Sequence, residues 1–141
     1  MIAKQLSVFI ENRHGRLSEV LSALKNNGIN IYSLSLADTT EFGLLRLIVN
    51  DAEKGKQTLN DSGFSATLSD VLIVKIKHEP GSLQSLLDVL SDNDVNIEYM
   101  YGLSIDKSEA SVVIKTSDLQ KADAILEKSG AKTISADEAA N

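Results

Sequence analysis

One stretch of this chain is written twice, and that doubling limits the fold more than any other feature. Ile10-Glu11-Asn12-Arg13-His14-Gly15-Arg16-Leu17 opens a segment that closes on Asn27-Gly28-Ile29-Asn30-Ile31. Ile76-Lys77-His78-Glu79-Pro80-Gly81-Ser82-Leu83 opens a second that closes on Asn93-Asp94-Val95-Asn96-Ile97. Gly15 and Gly81, Leu17 and Leu83, Leu24 and Leu90, Asn30 and Asn96, and Ile31 and Ile97 all stand 66 positions apart. A period this long, met twice, means two copies of one domain and not a solenoid of short repeats. In a chain of 141 residues each copy has about seventy, near the lower limit for an independent core. The copies are therefore expected to pack on each other or on a second chain.

Hydrophobic periodicity gives each copy the same order of elements. Leu6, Val8 and Ile10 alternate as in a strand, and Leu17, Val20, Leu21 and Leu24 make the i, i+3, i+4, i+7 stripe of an amphipathic helix. Asn27-Gly28 stops that helix, because Gly tolerates the left-handed conformation at helix ends. A strand over 29–37, a polar turn over 38–41, a strand over 44–49, a helix over 52–62 containing Gly55 and a strand over 64–68 complete the copy. The second copy repeats this with a strand over 71–77, in which Leu72, Val74 and Ile76 form the buried set. A helix carrying Leu83, Leu86, Leu87 and Leu90 follows, then strands over 95–105 and 110–115. Its last elements are a helix over 119–128 and a strand over 131–135, with 136–141 expected as a frayed tail. The fold class is α+β: two βαββαβ, ferredoxin-like domains, 1–70 and 71–141, each an antiparallel sheet with helices on one face.

Composition excludes several functions. A net charge of −6 and a pI near 4.8 oppose nucleic-acid binding, which needs clustered Lys and Arg. The chain has no Cys, so it has no disulfide framework, thiolate nucleophile or Cys-based zinc site. Lys4, Glu11, Asn12 and Arg13 break up any leader-like apolar run, and no run approaches the ~18 residues of a membrane span. A cytoplasmic protein without membrane attachment is expected. No Ser-His-Asp set, Walker loop or dinucleotide fingerprint is present, so no catalytic residues, cofactor or metal are expected.

The repeated loops carry the functional expectation. Gly15-Arg16-Leu17 and Gly81-Ser82-Leu83 fall at first helical turns, where free N–H groups and the helix dipole suit a carboxylate. An ammonium needs acceptors, which Asn side chains supply. Asn12 and Asn30 fit that role in the first copy, and His78 and Asn96 are their counterparts in the second. The same residues also fit plain punctuation: Gly before a helix, and Asn satisfying backbone where a loop enters a strand. Arg13, His14 and Arg16 form a basic cluster that either holds an anion or consists of solvated loop charges. His14 and His78, the only histidines, are not equivalent and read as surface loop residues. Tyr99 and Tyr101 share one strand face, either lining a pocket or packing on the exposed sheet.

The repeat resembles the ACT domain, a small regulatory module that senses amino acids in biosynthetic enzymes. The resemblance rests on Asn-x-x-Gly-x-Leu at Asn12 to Leu17 and Gly-Ile-Asn-Ile at Gly28 to Ile31. The first copy is most similar to the serine-sensing domain of phosphoglycerate dehydrogenase, whose loop reads His-Glu-Asn-Arg-Pro-Gly. Ile10 and His14 stand where that family has His and Pro. In the second copy Pro80, Gly81 and Asn96 match, and His78 replaces the loop Asn. The resemblance implies a free-standing, non-catalytic protein that binds a free amino acid at ACT domain interfaces. The implied contacts are Asn12, Arg13, His14, Gly15, Arg16, Leu17, Asn30 and Ile31, and in the second copy His78, Pro80, Gly81, Ser82, Leu83, Asn96 and Ile97. A homodimer is the expected state. The alternative is a regulatory subunit of an amino-acid biosynthetic enzyme with no ligand of its own.

Overall fold

The computed structural model describes residues 1–38 and 41–140. Thr39 and Thr40 of the expected turn, and Asn141 of the expected tail, lie outside the described residues. The elements are β1 (Ala3–Glu11), α1 (Arg16–Asn26), β2 (Ile31–Asp38), β3 (Phe42–Val49), α2 (Ala52–Asp61), β4 (Ser65–Lys77), α3 (Ser82–Asp92), β5 (Ile97–Ile105), β6 (Glu109–Thr116), α4 (Leu119–Lys128), β7 (Lys132–Thr133) and α5 (Ala136–Ala140). The chain divides into two compact units, one of Lys4–Ser69 and one of Asp70–Asn141 together with Met1–Ala3. Two strands expected separately, over 64–68 and 71–77, are a single strand β4. Its residues up to Ser69 belong to the first unit and those from Asp70 to the second.

In the first unit the strand order is β2-β3-β1-β4. β1 and β2 both run antiparallel to β3, with Val8 opposite Leu45 and Leu36 also opposite Leu45. In the second unit β5-β6-β4 is the same arrangement, with β7 added on the far side of β4 at Val74 and Lys75. Both are the ferredoxin-like order, which places the crossover helices on one face of the sheet. That face is apolar in each. Leu6, Val8, Leu45 and Leu47 pack under Val20, Leu24 and Leu59 in the first unit, and Leu72, Val74 and Ile114 under Leu86, Leu90 and Leu126 in the second. Gly55 has a packing reason, because a Cβ there would lie 3.0 Å from Leu6 Cδ2. The second unit carries Ala122 at the matching place, also fully buried.

Three local features depart from the sequence reading. The tail folds as α5, which contacts β5. Ser135 Oγ accepts from Glu138 N at 3.1 Å and Glu138 Oε1 from Ser135 N at 3.4 Å, a reciprocal cap that starts the helix. Glu138 and Ala139 line a recess with Lys75 and Ser111, on the sheet face opposite Val74 and Val112. Second, Val71 and Ile73 are as fully buried as Leu72 and Val74. This part of β4 is covered on both faces, so alternation cannot reveal a single buried side. Third, the spacing between copies grows from 66 at Gly15/Gly81 to 67 at the capping residues Asp51/Asp118. The extra residue is Leu103: β5 has a register shift between Gly102 and Ser104 that β2 lacks at the matching place.

Candidate functional site

Each unit has one helix start closed by a carboxylate and one left open. Asp51 Oδ1 accepts from Lys54 N at 3.1 Å, and Asp118 Oδ1 from Lys121 N at 3.0 Å, so α2 and α4 are capped. α1 and α3 start instead on Gly15 and Gly81, left-handed at φ 84° and 88°, with no side-chain cap on either. A side chain at these φ values is strained, which is why glycine stands there. An uncapped start presents N–H groups and the positive end of the dipole to whatever approaches.

The loops leading to these starts have matching frames. Asn12 N donates to Glu41 O at 2.9 Å, and His78 N donates to Ser108 O at 2.9 Å. Asn12, Arg13, His14 and Gly15 are exposed, as are His78, Pro80 and Gly81, while Arg16, Leu17 and Ser82 are half-buried and Leu83 is exposed. The basic cluster is internally balanced. Arg13 Nε lies 3.1 Å from Glu11 Oε2, and Arg16 Nη1 lies 2.5 Å from Glu19 Oε2. Arg16 also lies over the Phe64 ring, 4.2 Å from its centroid, with its Nε buried and without a hydrogen-bond partner. The guanidinium thus closes the space between the first turn of α1 and the turn that follows α2.

The strand-entry residues are at the other end of each sheet. Asn30 N donates to Asn50 Oδ1 at 2.8 Å and Asn50 N donates to Asn30 O at 3.1 Å, which holds the backbone and leaves the Asn30 side chain exposed. Lys25, Gly28, Asn30 and Ile31 border an open groove beside it. Asn96 and Ile97 occupy the same place in the second unit, where Ser117 replaces Asn50 and Asp94, at φ 60°, replaces Gly28. β3 measures the separation: Glu11 pairs with Phe42 at one end and Ile31 with Val49 at the other. At ~3.4 Å per residue this is roughly 24 Å. The fold therefore brings together Asn12 to Leu17, and likewise His78 to Leu83, but it does not bring Asn30 to Asn12 or Asn96 to His78 within one unit.

Other sequence candidates fall away from these ends. Tyr99 and Tyr101 are half-buried and pair with Lys115 and Val113, on the face away from α3 and α4. Among the described residues no three His, Asp or Glu side chains gather as a metal site requires, and no helix is long and apolar enough to cross a membrane. Sequence reasoning missed the Arg16–Phe64 stack. Its signal is the contrast with Ser82 and Ala131 at the matching positions, visible only after the Leu103 insertion is counted.

Two βαββαβ units in tandem, each with an open glycine-led helix start, define a duplicated ferredoxin-like α+β protein. Residues 1–139 match the family described as an ACT domain pair, and the chain belongs to that family. It is similar in structure to protein BT0572 from Bacteroides thetaiotaomicron, with a TM-score of 0.91 and 38% identity, covering 95% of this chain and 92% of that one. It also shares its fold with the ligand-free regulatory subunit of aspartate kinase from Thermus thermophilus, with a TM-score of 0.68, 20% identity and 88% of each chain covered. The corresponding subunit from Thermus flavus superposes with a TM-score of 0.63 at 20% identity over 88% of each chain. Comparison with curated proteins finds no match.

Proposed function

We propose that this ACT domain pair is a non-catalytic regulatory protein that binds a free amino acid through the open starts of α1 and α3. The observation that carries this reading is the selective absence of caps. Aspartate seals α2 and α4, whereas the two helix starts that follow the repeated loops are left free. A ligand carboxylate fits there, and its ammonium fits the acceptors of Asn12 or His78 and of a strand-entry Asn. One amino acid cannot span roughly 24 Å of strand. The loop of one ACT unit and the strand entry, Asn30-Ile31 or Asn96-Ile97, must then come from different copies.

A homodimer is the natural way to supply such a neighbour. The edge strand β2 carries Leu34 and Leu36, 43% and 46% exposed, and an apolar edge strand invites pairing. Ligand occupancy then shifts the assembly by its differential affinity for the two arrangements. The target proposed to read that shift is an amino-acid biosynthetic enzyme in the cytoplasm, since the aspartate kinase regulatory subunits share this fold.

The test is thermal unfolding of the purified chain against a panel of free amino acids at millimolar concentration. A ligand at ~100 times its dissociation constant stabilises by roughly 2.7 kcal/mol. One or two selective shifts are expected, and Asn30→Ala should reduce the response more than Asn96→Ala, because the first copy keeps both Asn residues. A flat panel would refute ligand sensing and favour a regulatory subunit without a ligand of its own.

A further inference from the structure

The first turn of α1 and the first turn of α3 have the same backbone but different surroundings. Beside α1, Arg16 reaches Glu19 and lies over Phe64, so the gap toward the turn after α2 is filled. The matching residues beside α3 are Ser82, Ser85 and Ala131. Here the cation, its carboxylate and the ring have all been cut back together. What remains is a groove of about 300 Å³ between α3, the end of β4 and the turn that follows α4. Ile76, Leu86, Val89 and Ala131 supply apolar walls, and Lys77, Ser82 and Ser85 border it.

Two of the hydroxyls at this groove are satisfied within the chain. Ser85 Oγ donates to Gly81 O at 3.0 Å, and Ser129 Oγ donates to Leu126 O at 2.8 Å. Neither leaves a donor that an apolar occupant would strand without a partner. Lys77 is the charged side chain at its rim, and among the described residues no ion pair spans it, whereas the Arg16–Glu19 pair stands beside α1. Its volume is at the low end for small-molecule sites, enough for one side chain and too little for a folded segment. It is continuous with the candidate loop through Ser82, the first residue of α3.

We propose that this groove is the side-chain pocket of the second unit and selects an aliphatic or aromatic amino acid. The head group sits at the start of α3, and the side chain lies on Ile76, Leu86, Val89 and Ala131. The first unit, closed by Arg16 and Phe64, discriminates against large side chains. The inference rests on the reading that the loops bind a free amino acid, and it adds which class the second loop takes.

Calorimetric titration of the full chain with L-leucine, L-phenylalanine and L-alanine tests both levels. The decisive variant is Ala131→Phe, which restores the ring that the first unit carries at this position. Wild type is expected to prefer leucine or phenylalanine, and the variant to lose at least tenfold in the ratio of its leucine affinity to its alanine affinity. Methyl resonances of Ile76, Leu86 and Val89 in the wild type should also shift on adding leucine, a readout that stands even where the variant fails to fold. Leucine affinity unchanged in a folded variant, or silent methyls, would overturn the pocket and leave loop binding intact. No binding of any amino acid would overturn both.

Discussion

The two units use different residues at three matching places while keeping one backbone. Where Arg16 lies on Phe64 in the first unit, the second has Ser82 and Ala131 and an open groove. Where the first unit exposes Phe9 and Phe42 on its helix-free face, at 57% and 52%, the second has the ion pair Lys75–Glu109. Where Gly28 turns the chain at φ 72°, the second unit uses Asp94 at φ 60°. Most other positions with a backbone demand do not vary. Gly15 and Gly81 hold left-handed helix starts, Gly63 and Gly130 hold left-handed helix ends, and Asp51 and Asp118 hold caps. The duplicated fold thus keeps its caps and most of its turn glycines, whereas the residues filling space between elements are freer to specialise.

The sharpest way to break this comparison is to empty the filled side. Phe64→Ala removes a ring that is 7% exposed and packed in the first core, and should destabilise the chain by about 3–5 kcal/mol. Chemical denaturation measures it. A loss below ~1 kcal/mol would mean that the first unit tolerates an open groove as the second does, and that the stack is surface decoration. The next effect should be equal in both units. Asp51→Ala and Asp118→Ala each remove one cap hydrogen bond of 3.0 to 3.1 Å, costing about 1 kcal/mol apiece. Unequal losses would show that one of the matched caps has other partners. The smallest effect is a gain. Asp94→Gly gives the second unit the first unit's residue at a left-handed position and should stabilise by a few tenths to about 1 kcal/mol. A loss on this change would mean that the Asp94 side chain contributes more than its backbone costs.

Much of this was legible in the sequence because it depends on neighbours in the chain. The stripe Leu17, Val20, Leu21, Leu24 marks α1, and Val20 and Leu24 are its buried residues. Asn27 stops that helix by donating to Ala23 O at 2.9 Å, and Asn93 repeats the bond to Val89 O at 2.8 Å. α5 was missed although Ser135 and Glu138 stand three apart in the spacing of a capping box. The apolar run expected after such a signal is absent, so the segment resembles a polar tail. The two-sided burial of Val71 to Val74 was also hidden, because a strand covered on both faces has no alternation to read.

The sequence by itself determined the duplication, the order of elements apart from α5 and the merging of two strands into β4, and the open starts of α1 and α3. Each follows from periodicity, from glycine's access to positive φ or from the presence of an aspartate cap, all interactions within a few residues. Only the tertiary structure decided what surrounds those starts. Arg16 meets Phe64 across 48 positions of chain, Ser82 faces Ala131 across 49, and Asn12 is held roughly 24 Å of strand from Asn30. Distance along the chain does not encode such meetings. They are set when helices settle on a sheet whose register was fixed elsewhere, and it is there that one unit acquired a stacked cation and the other a groove.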